Sequence, residues 1–194
     1  MAKTAPLPSV QVNYPVGRTM IKSGDIISFF ASHEEGVIKR LVTQSILFFT
    51  GSRIYHTGVA LWITTDTGER RLMLCEAVGV GRRLVNLSRF HHHKMEVHSV
   101  PKELDQKAIE AYLMDGIGTG YGFWTLIAIA IREFIGVKPP SSSRVQVCSE
   151  TAARTWRAGG MEFEQTILSP GKLRNVLSEK GVPPSFVINP DSGN

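Results

Sequence analysis

The spacing of hydrophobic positions divides the chain into a strand-rich first half and a helix-rich second half. In "KSGDIISFF", Lys22 to Phe30, the Gly24-Asp25 turn signal feeds a short apolar run and predicts the first core strand. "SHEEGVIKRLVTQSILFFTGS" offers Ser32 as a cap, Glu35 three residues on and Gly51 as a stop. Its apolar residues at helical spacing (Val37, Ile38, Leu41, Val42, then 46–49) predict a helix. "RIYHTGVALWI" and "RRLMLCEAV" flank the polar turn "TTDTGE" and read as two antiparallel strands, and "GRRLVNLS" and "KMEVHSV" read as two more.

From Pro101 the period lengthens. "PKELDQKAIEAYLMDGIG" is helical with acidic residues early, and "FWTLIAIAIREFIGV" predicts a second helix beyond the glycine-rich "GIGTGYG". "KPPSSS" is a loop by composition. "RVQVCSETAARTWRAGG" joins a short β-like run to a helix that ends at Gly159-Gly160. In "SPGKLRNVLSEKG", Pro170 stands in the favoured first turn and Gly181 is the stop. The expected class is α+β, with a mainly antiparallel sheet and helices before and after it.

With 194 residues, 42% of them hydrophobic, the chain suits one domain with a single core. That domain is expected to span 1–194, with its core at roughly 21–175, an N-terminal arm at 1–20 and a C-terminal tail at 182–194. No run reaches the roughly 18 apolar residues of a membrane span; "FWTLIAIAI" stops at Arg132 and Glu133. The first residues carry no apolar core of a secretory signal, so cytoplasmic synthesis is the expectation. Two cysteines, Cys75 and Cys148, are too few for a disulfide framework or a cysteine-based zinc site. A net charge of +5 and a pI near 9.4 favour anionic partners, but the basic residues lack the aromatic interleaving of single-strand binders, so nucleic acid is disfavoured.

Three residues could carry chemistry. Strand alternation aligns His56 with Gly58, Ala60 and Trp62, and its small neighbours leave room beside the imidazole. A single histidine at a strand end is equally a structural residue. In the next strand Glu76 shares a face with Leu72, Leu74 and Val78. A carboxylate on an apolar face needs a partner, or else a head that reaches solvent. Antiparallel pairing can set it beside His56, where it would fix the ring tautomer. Cys148 falls where the β-like run turns into a helix. There, amide N–H groups and the helix dipole stabilise a thiolate and can contribute to an oxyanion hole, although a lone cysteine is more commonly buried and inert. Cys75, mid-strand, has no such support.

Taken in order, "SGDIISFF", "HTGVALWI", "CEAVGVGRRLVNLS", "VCSETAARTW" and "LSPGKL" resemble the circularly permuted papain-like hydrolases of the NlpC/P60 superfamily, the YiiX-like subgroup in particular. In that branch the histidine precedes the cysteine, as His56 precedes Cys148 here. The resemblance implies a permuted papain-like fold, with Cys148 as nucleophile, His56 as general base and acid, and Glu76 as the group orienting the histidine. Tyr121 matches the family's tyrosine ahead of the cysteine only loosely and is a candidate substrate contact. Asp25 matches a structural position. Neither a metal nor a cofactor is implied.

The implied activity is a cysteine peptidase or amidase cleaving an amide bond in bacterial cell-wall peptides. Lipid acyl hydrolysis or transfer is the alternative within the superfamily. A bacteriophage virion component carrying the domain, with protein partners in an assembly and action at the cell envelope, is the other. "HHHK", His91 to Lys94, is expected to be a solvated patch on a strand, since adjacent strand residues point to opposite faces. The glycines of "GIGTGYG" follow a helix rather than a strand, which argues against a dinucleotide site.

Overall fold

The computed structural model describes residues 10–31, 53–78, 81–118, 148–163 and 169–190. Within them lie seven strands and four α-helices. The strands are β1 (Gln11–Val12), β2 (Ile26–Phe30), β3 (Ile54–Thr64), β4 (Arg70–Val78), β5 (Gly81–Asn86), β6 (Met95–His98) and β7 (Phe186–Ile188). The helices are α1 (Tyr14–Met20), α2 (Gln106–Asp115), α3 (Cys148–Ala158) and α4 (Pro170–Glu179). All seven strands form one sheet in the order β1-β7-β6-β2-β3-β4-β5. Every neighbouring pair is antiparallel except β1 and β7. The expected α+β class with a mainly antiparallel sheet is what the chain adopts.

Alternation along the strands builds a core on each side of the sheet. Ile27, Phe29, Ala60, Leu72, Leu74, Met95 and Val97 pack on one face with Tyr14 of α1 and Leu87. Ile26, Val59, Leu61 and Cys75 pack on the other, under Ile109 and Leu113 of α2, Ala152 and Trp156 of α3, and Leu173 and Leu177 of α4. Helix α3 is pinned at depth: the Trp156 indole N–H donates to the Gly24 carbonyl at 2.7 Å, and that glycine sits at φ +90 in the turn before β2. Asp25, next in the turn, is fully buried and accepts from the backbone N–H groups of Lys22 (2.8 Å) and Val100 (2.9 Å). Burial nevertheless pushes its carboxyl up to about 6 against those two donors. Asp25 is thus a structural knot, as the resemblance implies.

The helix ends follow their caps. Asn13 accepts from Val16 N–H ahead of α1, Asp105 from Lys107 and Ala108 N–H ahead of α2, and Ser169 from Lys172 N–H ahead of α4. The predicted start of α2 at Pro101 therefore moves to the Asp105 cap, and residues 101–104 form a turn.

The ordered core is wider than the expected 21–175. Residues 10–20, read as an arm, contain an edge strand and a helix whose Tyr14 and Gly17 are buried. The segment read as a tail from 182 contains β7, buried throughout. Both were obscured because their strands are only two and three residues long, too short to show a period. The helices expected at 32–52 and 123–137, the β-like run at 144–147 and Tyr121 lie outside the described residues.

Candidate active site

The β3–β4 ladder ends at the pair Gly58–Glu76, although β3 begins four residues earlier, at Ile54, and β4 runs on to Val78. Beyond that pair the two strands part, and the first residue of α3 meets them there. The backbone N–H of Thr57 is directed at the sulfur of Cys148, as is that of Ser149 in the first turn of α3. Gly58 has a steric reason in the same place: a Cβ on it would stand 2.6 Å from Leu74 Cδ1 and 3.0 Å from the Cys75 carbonyl oxygen.

His56 pairs with Phe29 of β2 across the ladder, and their rings lie 5.7 Å apart. The His56 side chain is 13% exposed, and its Nε2–H donates to Glu76 Oε2 at 2.7 Å. The ring is also hydrogen-bonded to the Cys148 side chain, for which Nδ1 is the nitrogen left. Glu76 is only 2% exposed. Its second oxygen, Oε1, accepts from Arg83 Nε at 2.9 Å and Nη2 at 2.8 Å. The structure therefore sets four side chains in series: Cys148, His56, Glu76 and Arg83.

Burial drives the His56 pKa down, but hydrogen bonds to Cys148 and Glu76 and their negative charges outweigh it and hold the ring at about 9, above its ordinary 6.5. For Cys148, burial favours the neutral thiol. The hydrogen bond and charge of His56, together with the Thr57 and Ser149 N–H groups, bring it below its ordinary value. Burial likewise works against the Glu76 carboxylate, and its bonds to His56 and Arg83 hold it low in spite of that. These shifts describe an imidazolium beside a thiolate, backed by an ionised carboxylate. Cys75 is the contrast: burial in the core under the helices, with the charge of Glu76 adding and that of Arg82 opposing, pushes its thiol up to about 11.

No family model and no curated protein matches the chain. Its chemistry therefore has to be read from the arrangement of its own residues.

The three residues singled out in the sequence, Cys148, His56 and Glu76, come together; Tyr121 lies outside the described residues. Arg83 was seen only as half of a basic pair. The signal was present in the hairpin: Val78 pairs with Gly81, and counting back from that pair sets Glu76 opposite Arg83. The histidine run differs from expectation. It lies in a turn after the short 3₁₀ helix at Leu87–Phe90 rather than on a strand. His91 and His92 are exposed, but His93 is buried beside Phe90 and Tyr55, because a turn need not alternate its side chains. No cluster of three or more metal-ligating side chains occurs among the described residues.

Proposed function

We propose that the protein is a thiol hydrolase of the permuted papain-like type that cleaves an amide bond through an acyl-enzyme, its substrate being a bacterial cell-wall peptide. The observation that carries this reading is the His56 ring bonded to the Cys148 thiol on one side and to the buried Glu76 carboxylate on the other. The resemblance in the sequence supports the choice of fold and substrate.

The steps follow from the protons already in place. The Cys148 thiolate attacks the amide carbonyl carbon, and the carbonyl π electrons move to oxygen. The Ser149 N–H at the start of α3 already faces the sulfur, so that oxyanion forms beside the helix's first amides. His56 gives its Nδ1 proton to the departing nitrogen as the tetrahedral centre collapses to a thioester. The neutral ring then takes a proton from water. The hydroxide attacks the thioester, and collapse releases the carboxylic acid and restores the thiolate. Glu76 keeps the ring oriented and offsets its positive charge, and it stays ionised throughout.

The test is digestion of purified wall peptides, read by mass spectrometry, with Cys148→Ser as the control and acyl-phospholipid liposomes as a second substrate. Cys148-dependent cleavage of an amide in the peptides is expected. Turnover of the lipids with the peptides untouched would replace this reading with lipid acyl hydrolysis. Among the described residues no helix is long and apolar enough to cross a membrane.

A further inference from the structure

Arg83 does more than the ion pair with Glu76 requires. It stands on β5, the last strand of the sheet, directly opposite Glu76, and its side chain remains 51% exposed while its partner is 2% exposed. Both of its bonds to the carboxylate come from the Nε–Nη2 edge and end on the same oxygen. A guanidinium is a planar fork with five N–H donors. Holding one edge fixes the plane and leaves Nη1, with its two N–H groups, directed away from the carboxylate.

The neighbouring arginine shows the other way such a residue is used. Arg82 is 4% exposed, donates to the Tyr112 carbonyl at 2.9 Å and lies over the Tyr112 ring, fastening β5 to α2. Arg83 makes no comparable tie to a helix among the bonds described, and it is half open to solvent two side chains from the nucleophile. For a surface cation of a chain with net charge +5, this is a fixed, directional and accessible position.

We propose that Arg83 is a specificity-determining residue: its outward guanidinium edge binds a carboxylate carried by the amide substrate close to the bond that Cys148 attacks. The proposal rests on the thiol-hydrolase reading and refines it, from amide bonds in general to amides with a neighbouring carboxylate. A carboxylate suits this edge because two N–H groups on one nitrogen can serve its oxygens without disturbing the bonds to Glu76. The same fork would also accept the phosphate of a lipid headgroup, which the experiment separates.

The test compares two alkylating reagents that differ only in charge. Iodoacetate carries a carboxylate next to its reacting carbon and iodoacetamide carries a neutral amide, and both attack the same thiolate. The ratio of their rates at Cys148 therefore cancels any change in the thiolate fraction. Rates are measured by peptide mass spectrometry at pH 6.5 in wild type, Arg83→Gln and Arg83→Lys, with circular dichroism confirming that each variant is folded. Arg83→Gln is expected to lower the iodoacetate-to-iodoacetamide ratio by about two- to fivefold, as for a solvent-exposed ion pair, with the difference shrinking in high salt. Arg83→Lys is expected to keep more of the preference than the glutamine variant.

A ratio unchanged in Arg83→Gln, with rapid iodoacetamide labelling preserved, overturns the role of Arg83 and leaves the thiolate intact. Failure of wild-type Cys148 to react with either reagent overturns the thiol-hydrolase reading and the proposal together. Adding inorganic phosphate or acetate to the wild type separates the two anions. Selective slowing of iodoacetate labelling by acetate agrees with a carboxylate site, whereas slowing by phosphate alone reassigns the edge to phosphate.

Discussion

Replacing Glu76 with glutamine keeps the shape of the side chain and an oxygen for His56 Nε2–H to donate to, while removing the charge. In the native protein the folded His56 pKa of about 9 against an ordinary 6.5 is a rise of 2.5 (9 − 6.5), equivalent to about 3.4 kcal/mol of linked stability. The shift is upward, so that contribution is full below about pH 6.5 and is lost as pH rises through about 9. Cys148 and Glu76 both raise the pKa against burial, so removing one carboxylate forfeits roughly half, on the order of 1–2 kcal/mol. The bond to Arg83 adds at most about 1 kcal/mol, because that partner is half exposed and screened. Urea denaturation of wild type and Glu76→Gln is therefore expected to show a deficit of about 2 kcal/mol at pH 6 that narrows to about 1 kcal/mol or less at pH 9.5. An equal deficit at both pH values would mean that Glu76 is merely a packing and hydrogen-bonding residue, and the charged pair would have to be given up.

Other consequences can be checked separately. Cys75 should resist iodoacetamide throughout the neutral range, because burial holds its thiol at about 11; labelling of Cys75 in the native protein below pH 8 would contradict the packing described. Gly58→Ala places a methyl 2.6 Å from Leu74 Cδ1 and against the Cys75 carbonyl, beside His56 and Glu76, and should lose about 1–3 kcal/mol in a urea titration and slow Cys148 alkylation. Arg174 of α4 holds the fully buried Glu96 of β6 through Nε and Nη2, the latter at 3.1 Å, so Arg174→Ala should cost about 3–5 kcal/mol by leaving a buried carboxylate without its cation. Arg174→Ala with Glu96→Gln should recover part of that loss.

What the sequence disclosed and what it withheld have distinct physical origins. Strands β2 to β6 were legible because each runs four to eleven residues with a recognisable apolar pattern and is closed by a turn residue, such as Gly68 at φ +82. Helices α2, α3 and α4 were legible from their period, their caps and Pro170. β1 and β7 were not, since their place depends on pairing between residues about 175 positions apart, Gln11 with Val187. The same distinction runs through the site. Alternation alone put Glu76 on the face of Leu72 and Leu74, and a hairpin could carry it next to His56. That Cys148 reaches them depends on the early end of the β3–β4 ladder at Gly58, a property of three elements together that no single stretch of sequence encodes. Arg83 was missed because the residues of a basic pair look alike in sequence. The register makes one a buried fastener against Tyr112 and the other the half-exposed partner of Glu76.

The central claim, a Cys148 thiolate maintained by His56, is tested most directly by the rate of iodoacetamide labelling at Cys148 between about pH 5 and 9, in wild type and in His56→Ala. The pair described here predicts rapid labelling of wild type already at the acidic end, and loss of that acidic reactivity in His56→Ala, with the rate then rising only toward the pH of an ordinary thiol. Slow labelling of the folded wild type at pH 6, or a profile indifferent to His56→Ala, would contradict it.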